Sequence, residues 1–289
     1  MRKPIVANQF YPGKAADCEA EIKEYLAEGA LPAGLPEKIA AGIVPHAGWT
    51  FSGQLAALVF AAIKKQNARV DTFCIFGAAH SYYGPKPAVY DSGLWQTPLG
   101  EIAIDAELAQ KVLKAGPAVT DTNAHRGEHS IEVQIPFIQY MFPKAEILPI
   151  ITPPADEAVE LGQTVGQIIS ETKDKQIVCI GSTDLTHYGP HYGFEPMGQG
   201  NAAFKWASEV NDRQFIEMAL KLEPKKMLDI AAKNYNACGP GAAAAAVAAA
   251  KKLGKTKGVL LAQTNSNKIT TAKFGSPSAD SVGYAAIVF

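Results

Sequence analysis

Asn236-Ala237-Cys238-Gly239-Pro240-Gly241, followed by an almost pure alanine run to Ala250, is the stretch around which the rest of this 289-residue chain is organised. Gly239, Pro240 and Gly241 interrupt whatever precedes them, and Ala242 to Lys252 has a composition that strongly favours helix. Cys238 is therefore expected at, or just before, a helix N-terminus. Unpaired backbone N–H groups and the helix dipole favour an anion there, and are expected to lower the pKa of the thiol. Such a thiolate could be a nucleophile, a redox centre or a metal ligand.

Working outward, apolar runs alternate with amphipathic ones. Ile39 to Val44, Asp71 to Gly77, Glu146 to Ile151, Gln176 to Ile180, Gly258 to Gln263 and Ser281 to Phe289 read as strands. Ala15 to Gly29, Asp156 to Glu171, Asn211 to Leu222 and Pro224 to Tyr235 read as helices. Ser52 is expected to cap a helix running to Lys65, Asp105 one running to Ala115, and Ser130 one with the stripe Val133, Phe137 and Tyr140. Ser81 to Gly100 is rich in Tyr, Gly and Pro; because long structureless loops are uncommon, short strands are expected at Ala88–Tyr90 and Glu101–Ile104. Strands alternating with helices imply an α/β fold, an α/β/α sandwich with a central, largely parallel or mixed sheet. No repeat or long linker divides residues 1–289, so one domain is expected.

With 47% hydrophobic residues the chain can bury a large core, and a net charge of −1 gives no basic field directed at nucleic acid or an anionic membrane. The segment Met1 to Asn8 lacks the apolar stretch of a signal peptide, and the alanine run is too short and too weakly apolar to span a bilayer. Cys18, Cys74, Cys179 and Cys238 form no C-x-x-C pair, and Cys74 and Cys179 lie within apolar strands as small buried hydrophobes. A reducing, cytoplasmic setting is expected.

Ligands of such sheets gather beyond the carboxyl ends of the strands. Three strands deliver His46, His80, and the pair Asp184 and His187 at that end. His46 and His80 share a setting of small neighbours, Ala47-Gly48 and Gly77-Ala78-Ala79. With Cys238 they form an N, N, S set that suits iron, zinc or copper and not magnesium or calcium. Asp184 and His187 could supply a carboxylate ligand and a general acid–base; the plainer role for Asp184 is to turn its own loop. His125 and His129 have a helical metal spacing that Gly127 argues against. His129, next to Glu128 at a helix start, could act in catalysis or in capping, and His191 is expected to face solvent. Trp49, Tyr82 and Tyr83 flank the histidine loops and could wall a pocket. There is no G-x-x-x-x-G-K-[ST], no strand-linked G-x-G-x-x-G, no G-x-S-x-G and no H-E-x-x-H.

The segments Val44-Pro45-His46-Ala47-Gly48-Trp49-Thr50-Phe51-Ser52-Gly53, Gly77-Ala78-Ala79-His80, Glu128-His129-Ser130-Ile131-Glu132-Val133-Gln134-Ile135-Pro136-Phe137, Ser182-Thr183-Asp184-Leu185-Thr186-His187-Tyr188-Gly189 and Ala237-Cys238-Gly239 together resemble the signature blocks of the Memo family. Its microbial members are called AmmeMemoRadiSam system protein B. The resemblance runs in order from Pro4 to Phe289. It implies a fold similar to class III extradiol (LigB-type) non-haem iron dioxygenases. It also implies a metal site lined by His46, His80 and Cys238, with Asp184 and His187 in the same pocket. Those dioxygenases hold Fe(II) with two histidines and a carboxylate, so a cysteine is a departure. Animal relatives are described as phosphotyrosine-peptide-binding and redox-active metal proteins, and the microbial family is associated with AMMECR1-like and radical-SAM proteins.

The leading expectation is a metal-binding, non-haem iron redox protein or oxidoreductase-like enzyme acting on a small molecule or peptide. Its ligands would be His46, His80 and Cys238, with iron first and zinc or copper as alternatives. Asp184, His187 and His129 would take the catalytic roles. Two competitors come from other classes. One is a non-catalytic peptide- or protein-binding module with a vestigial dioxygenase-like pocket; the other is a Cys–His hydrolase or transferase with Cys238 as nucleophile and His187 as base.

Overall fold

The computed structural model describes residues 1–289. Its strands are β1 (Ala41–Val44), β2 (Thr72–Gly77), β3 (Ala88–Val89), β4 (Leu94–Thr97), β5 (Gly100–Ala103), β6 (Val119–Thr120), β7 (Glu146–Ile151), β8 (Ile177–Ser182), β9 (His187–Tyr188), β10 (Val259–Asn265) and β11 (Ser281–Val288). Its helices are α1 (Ala15–Glu28), α2 (Trp49–Gln66), α3 (Ala106–Ala115), α4 (Ile135–Met141), α5 (Asp156–Glu171), α6 (Asn201–Trp206), α7 (Asp212–Leu220), α8 (Pro224–Asn234), α9 (Pro240–Lys252) and α10 (Ser266–Phe274).

The main sheet runs β10-β11-β1-β8-β2-β7-β3-β6, with β9 pairing to β11; β4 and β5 form a separate hairpin. The centre, β1-β8-β2-β7, is parallel, whereas β11 enters antiparallel beside β1 and β3 antiparallel beside β7. Helices α1, α2 and α4 cover one face and α3, α5, α7, α8 and α9 the other. The central strands are apolar almost without interruption because a parallel strand between two helical layers has no solvent face. The expected α/β/α sandwich with a mixed sheet is what the chain forms.

Helix α9 is buried from Pro240 through Ala250. Methyl side chains let it lie close against β8, β1 and α5, so the alanine run forms a core element. The amino end of α9 is thereby held beside the carboxyl end of β8.

Several local expectations are corrected. Helix α2 starts at Trp49, and Ser52 lies inside it with Oγ donating to Ala47 O at 2.9 Å instead of capping. Ser130 does not cap either: its Oγ accepts from Ala78 N at 3.0 Å, and a 3-10 turn at Glu132–Gln134 precedes α4. Strand β4, helix α10 and the π-helical turn at Ala207–Asn211 were not anticipated. No helix is long and apolar enough to cross a membrane.

Candidate metal centre

Because β1, β2 and β8 run parallel, their carboxyl ends open on the same edge. The loop after β1 carries His46, the loop after β2 His80, and the loop after β8 Asp184, leading to His187 at the start of β9. Cys238 arrives from the other direction, one residue before the Gly239 N-cap of α9. Gly239 permits the approach, since a Cβ there would stand 2.6 Å from Ser182 O.

Hydrogen bonds set the tautomers. His46 Nδ1 lies 3.1 Å from Ser182 Oγ, and the Ser182 hydroxyl itself donates to Ser130 O at 2.7 Å. Oγ must therefore accept from Nδ1–H, which leaves a lone pair on His46 Nε2, 3.2 Å from Cys238 Sγ. His80 Nδ1 lies 3.0 Å from Glu128 Oε1, and its backbone N–H donates to Glu128 Oε2 at 3.0 Å. The carboxylate fixes both ring and loop, and directs the lone pair to Nε2. His187 Nδ1–H donates to Leu185 O at 3.0 Å, again leaving Nε2 free to accept. Asp184 Oδ1 receives the His46 backbone N–H at 2.7 Å, while the Asp184 N–H donates to Cys238 Sγ at 3.3 Å. His129 stacks on His80, with ring centroids 5.0 Å apart and planes 4° off parallel, and both meet His46 edge-on.

Donor atoms of His46, His80 and Cys238 lie within 4.8 Å of one another, and so do those of Asp184, His187 and Cys238 and of His80, Glu128 and His129. A tetrahedral site with metal–ligand bonds of about 2.0–2.3 Å places its donor atoms about 3.3–3.7 Å apart. The His46–Cys238 separation is close to that span. Two oriented imidazole lone pairs and one sulfur make a donor set for a transition metal or zinc.

Electrostatics of the bare residues differ from the expectation in one respect. Burial, followed by the Asp184 carboxylate, pushes the Cys238 thiol well up instead of down. Position before a helix N-terminus is outweighed by desolvation and a neighbouring anion, so a thiolate here needs a cation beside it. Burial also lowers His46, helped by the charges of His80 and His129. Burial would raise Glu128, but the His80 hydrogen bond and charge hold it well below the usual carboxylate range. Asp184 is raised, mainly by burial, against the pull of His187.

The fold thus brings together all six residues singled out: His46, His80, Cys238, Asp184, His187 and His129. His125 is not among them; it is buried, with Nε2 3.0 Å from Ala88 O. His191 faces solvent. The aromatic wall differs from the expected one. Trp49 is buried in the core with Nε1 donating to Val133 O, and Tyr83 is 91% exposed. Tyr192, Phe194 and Tyr235 instead line a cavity of about 560 Å³ that reaches His187 and Cys238. Tyr192 stacks edge-on to His187 at 4.9 Å. The sequence signal was the Tyr192-Gly193-Phe194 turn, five residues beyond His187. Ser182 as the partner of His46 and Glu128 as the anchor of His80 were also missed.

Comparison with known proteins identifies the family and the fold. Residues 2–288 match the family model described as Memo-like protein. A MEMO1 family protein of Thermococcus onnurineus is 39% identical over 100% of this chain and 99% of its own length. Another, from Methanosarcina barkeri, is 37% identical over 100% and 99%. Among solved structures, uncharacterized protein JW3007 of Escherichia coli K12 shares the fold at a TM-score of 0.50, with 14% identity over 85% of this chain and 99% of that one. On a match that runs from the second residue to the last but one, with relatives aligned end to end, the chain belongs to the Memo family.

Proposed function

We propose that this protein is a metal-dependent redox protein, an oxidoreductase-like enzyme with His46, His80 and Cys238 as ligands and iron as the metal, zinc or copper being the alternatives. The observation that carries the reading is the approach of His46 Nε2, its tautomer set by Ser182, to within 3.2 Å of Cys238 Sγ, with a His80 ring nitrogen within 4.8 Å of both. A bound iron, zinc or copper would supply Lewis acidity and, for iron or copper, a one-electron couple. The residues around it have separate tasks. Asp184 orients the His46 loop and stands as a further carboxylate donor. His187 Nε2 can take a proton from a small molecule or peptide held in the aromatic-walled cavity, while Leu185 O keeps the ring oriented. Tyr192, Phe194 and Tyr235 line one side of that cavity. His129, stacked on His80, limits the movement of the ring.

The test is the metal content of anaerobically purified protein, measured by elemental analysis beside Cys238→Ser and His46→Ala. Near-stoichiometric metal that falls in both variants is expected. Glu128→Gln, which keeps the shape but weakens the anchor of His80, should lower affinity by roughly tenfold or more in a chelator competition. Wild-type protein that is metal-free and takes up no iron, zinc or copper on reconstitution would overturn the reading.

A further inference from the structure

At the opposite end of the sheet from Cys238 lies a second cavity, of about 370 Å³. It opens where Lys38-Ile39-Ala40 leads into β1 and Lys175-Gln176 leads into β8, between the carboxyl ends of α5 and α9. Its floor is apolar: the half-buried Ile169 and Leu253 line it, backed by the buried Ile39 and Ile177. Its rim holds four lysines, Lys38, Lys173, Lys175 and Lys255, and no acidic residue lines it. In a chain whose net charge is −1, this is a marked concentration of one sign.

The four differ in how they are satisfied. Lys175 is neutralised by Asp105 at 3.0 Å and Glu146 at 3.4 Å. The other three meet only neutral oxygens: Lys38 the Gln176 side chain, Lys173 the Ser170 carbonyl, and Lys255 the Lys38 carbonyl. Lys255 and Lys38 are close enough that burial and the Lys38 charge together lower the Lys255 pKa. The plainer reading is that these lysines complement two helix ends. Each carboxyl terminus contributes about half a negative charge, roughly one in total against three unpaired ammonium groups. None of the three ammonium groups has a carboxylate within 4.0 Å.

We propose that this cavity is a binding site for a small organic phosphate, an apolar body seated on Ile169 and Leu253 with its phosphate on Lys38, Lys173 and Lys255. Three mobile point-charge donors around one opening suit a compact, multiply charged oxyanion. The apolar floor distinguishes such a ligand from free phosphate. The site shares no residue with the His-His-Cys centre, so it stands or falls independently of that centre.

Calorimetric titration with three probes tests it: phenyl phosphate, inorganic phosphate and benzyl alcohol. Phenyl phosphate should bind most tightly, with inorganic phosphate weaker and benzyl alcohol giving no measurable heat. Loss of one charged contact in Lys38→Gln or Lys255→Gln should weaken phenyl phosphate by about five- to tenfold, with metal content and melting temperature as in the wild type. Absence of phenyl phosphate binding, or equal affinity in the wild type and the Lys38→Gln/Lys255→Gln double variant, overturns the site. Inorganic phosphate binding as tightly as phenyl phosphate overturns the part played by the apolar floor.

Discussion

Asp212 shows how much one side chain can be asked to do under the loop that runs from Asp184 to His187. Its Oδ1 accepts the Thr186 backbone N–H at 2.9 Å, its Oδ2 is buried without a partner, and burial raises its pKa to about 7. A carboxyl with a raised folded-state pKa stabilises the fold fully below its unfolded value, about 4, and loses that contribution as pH rises through 7. The loss is on the order of 4 kcal/mol, from about three units at 1.36 kcal/mol each. Asp212→Asn removes the titration and keeps the acceptor for Thr186. Urea denaturation at pH 5 and pH 9 should show the wild type losing about 2–3 kcal/mol more than the variant, since about two of the three units lie between pH 5 and pH 7. An equal pH dependence in both proteins would show that the group does not titrate in that window. At the same scale, the site was legible wherever a residue type carries the chemistry. His46, His80 and Cys238 stood out as soft or borderline donors, whereas Ser182 and Glu128 did not, because what they do depends on which side chain they face.

Among the elements, α9 decides the most. Its pairing with α5 is the most extensive helix contact in the molecule, and Gly162 on α5 makes it possible: a Cβ there would stand 2.2 Å from Ala245 O. Gly162→Ala is therefore expected to force the helices apart in spite of its better helix propensity. The expected cost is about 1–3 kcal/mol, the range for overpacking a close-packed interior. Guanidinium denaturation would read it, and a gain of stability would mean that α5 has room to shift. Displacing α9 should also move Cys238, so the variant should hold metal less tightly than the wild type. The strong periodicities, α1, α5 and β7, could be read from sequence to within a residue or so. The boundaries that could not, at Ser52 and Ser130, are places where a hydroxyl hydrogen-bonds to a loop instead of capping a helix.

Over the whole molecule, β11 closes the fold. The last strand of the chain sits between β1 and β10 and also pairs with β9, so residues near the two ends of the chain share a sheet. We expect the chain to unfold as one cooperative unit. Fluorescence, reporting Trp49 and Trp95 in the core and Trp206 on α6, should then coincide with far-UV circular dichroism in urea. Separated midpoints would show that the α6–α8 region melts independently. The sequence alone settled the alternation of strands and helices, the apolar centre of the sheet, and the residue types able to hold a metal. Those follow from periodicity and donor chemistry, which are local properties. The tertiary structure decided the tautomers of His46 and His80, the upward shift of the Cys238 thiol, the aromatic wall of Tyr192, Phe194 and Tyr235, and the lysine-rimmed cavity beneath. Each of these depends on groups far apart in the chain, such as Ser182 against His46 or Lys255 against Lys38, and a distance in space between such groups is not written in their spacing along the sequence.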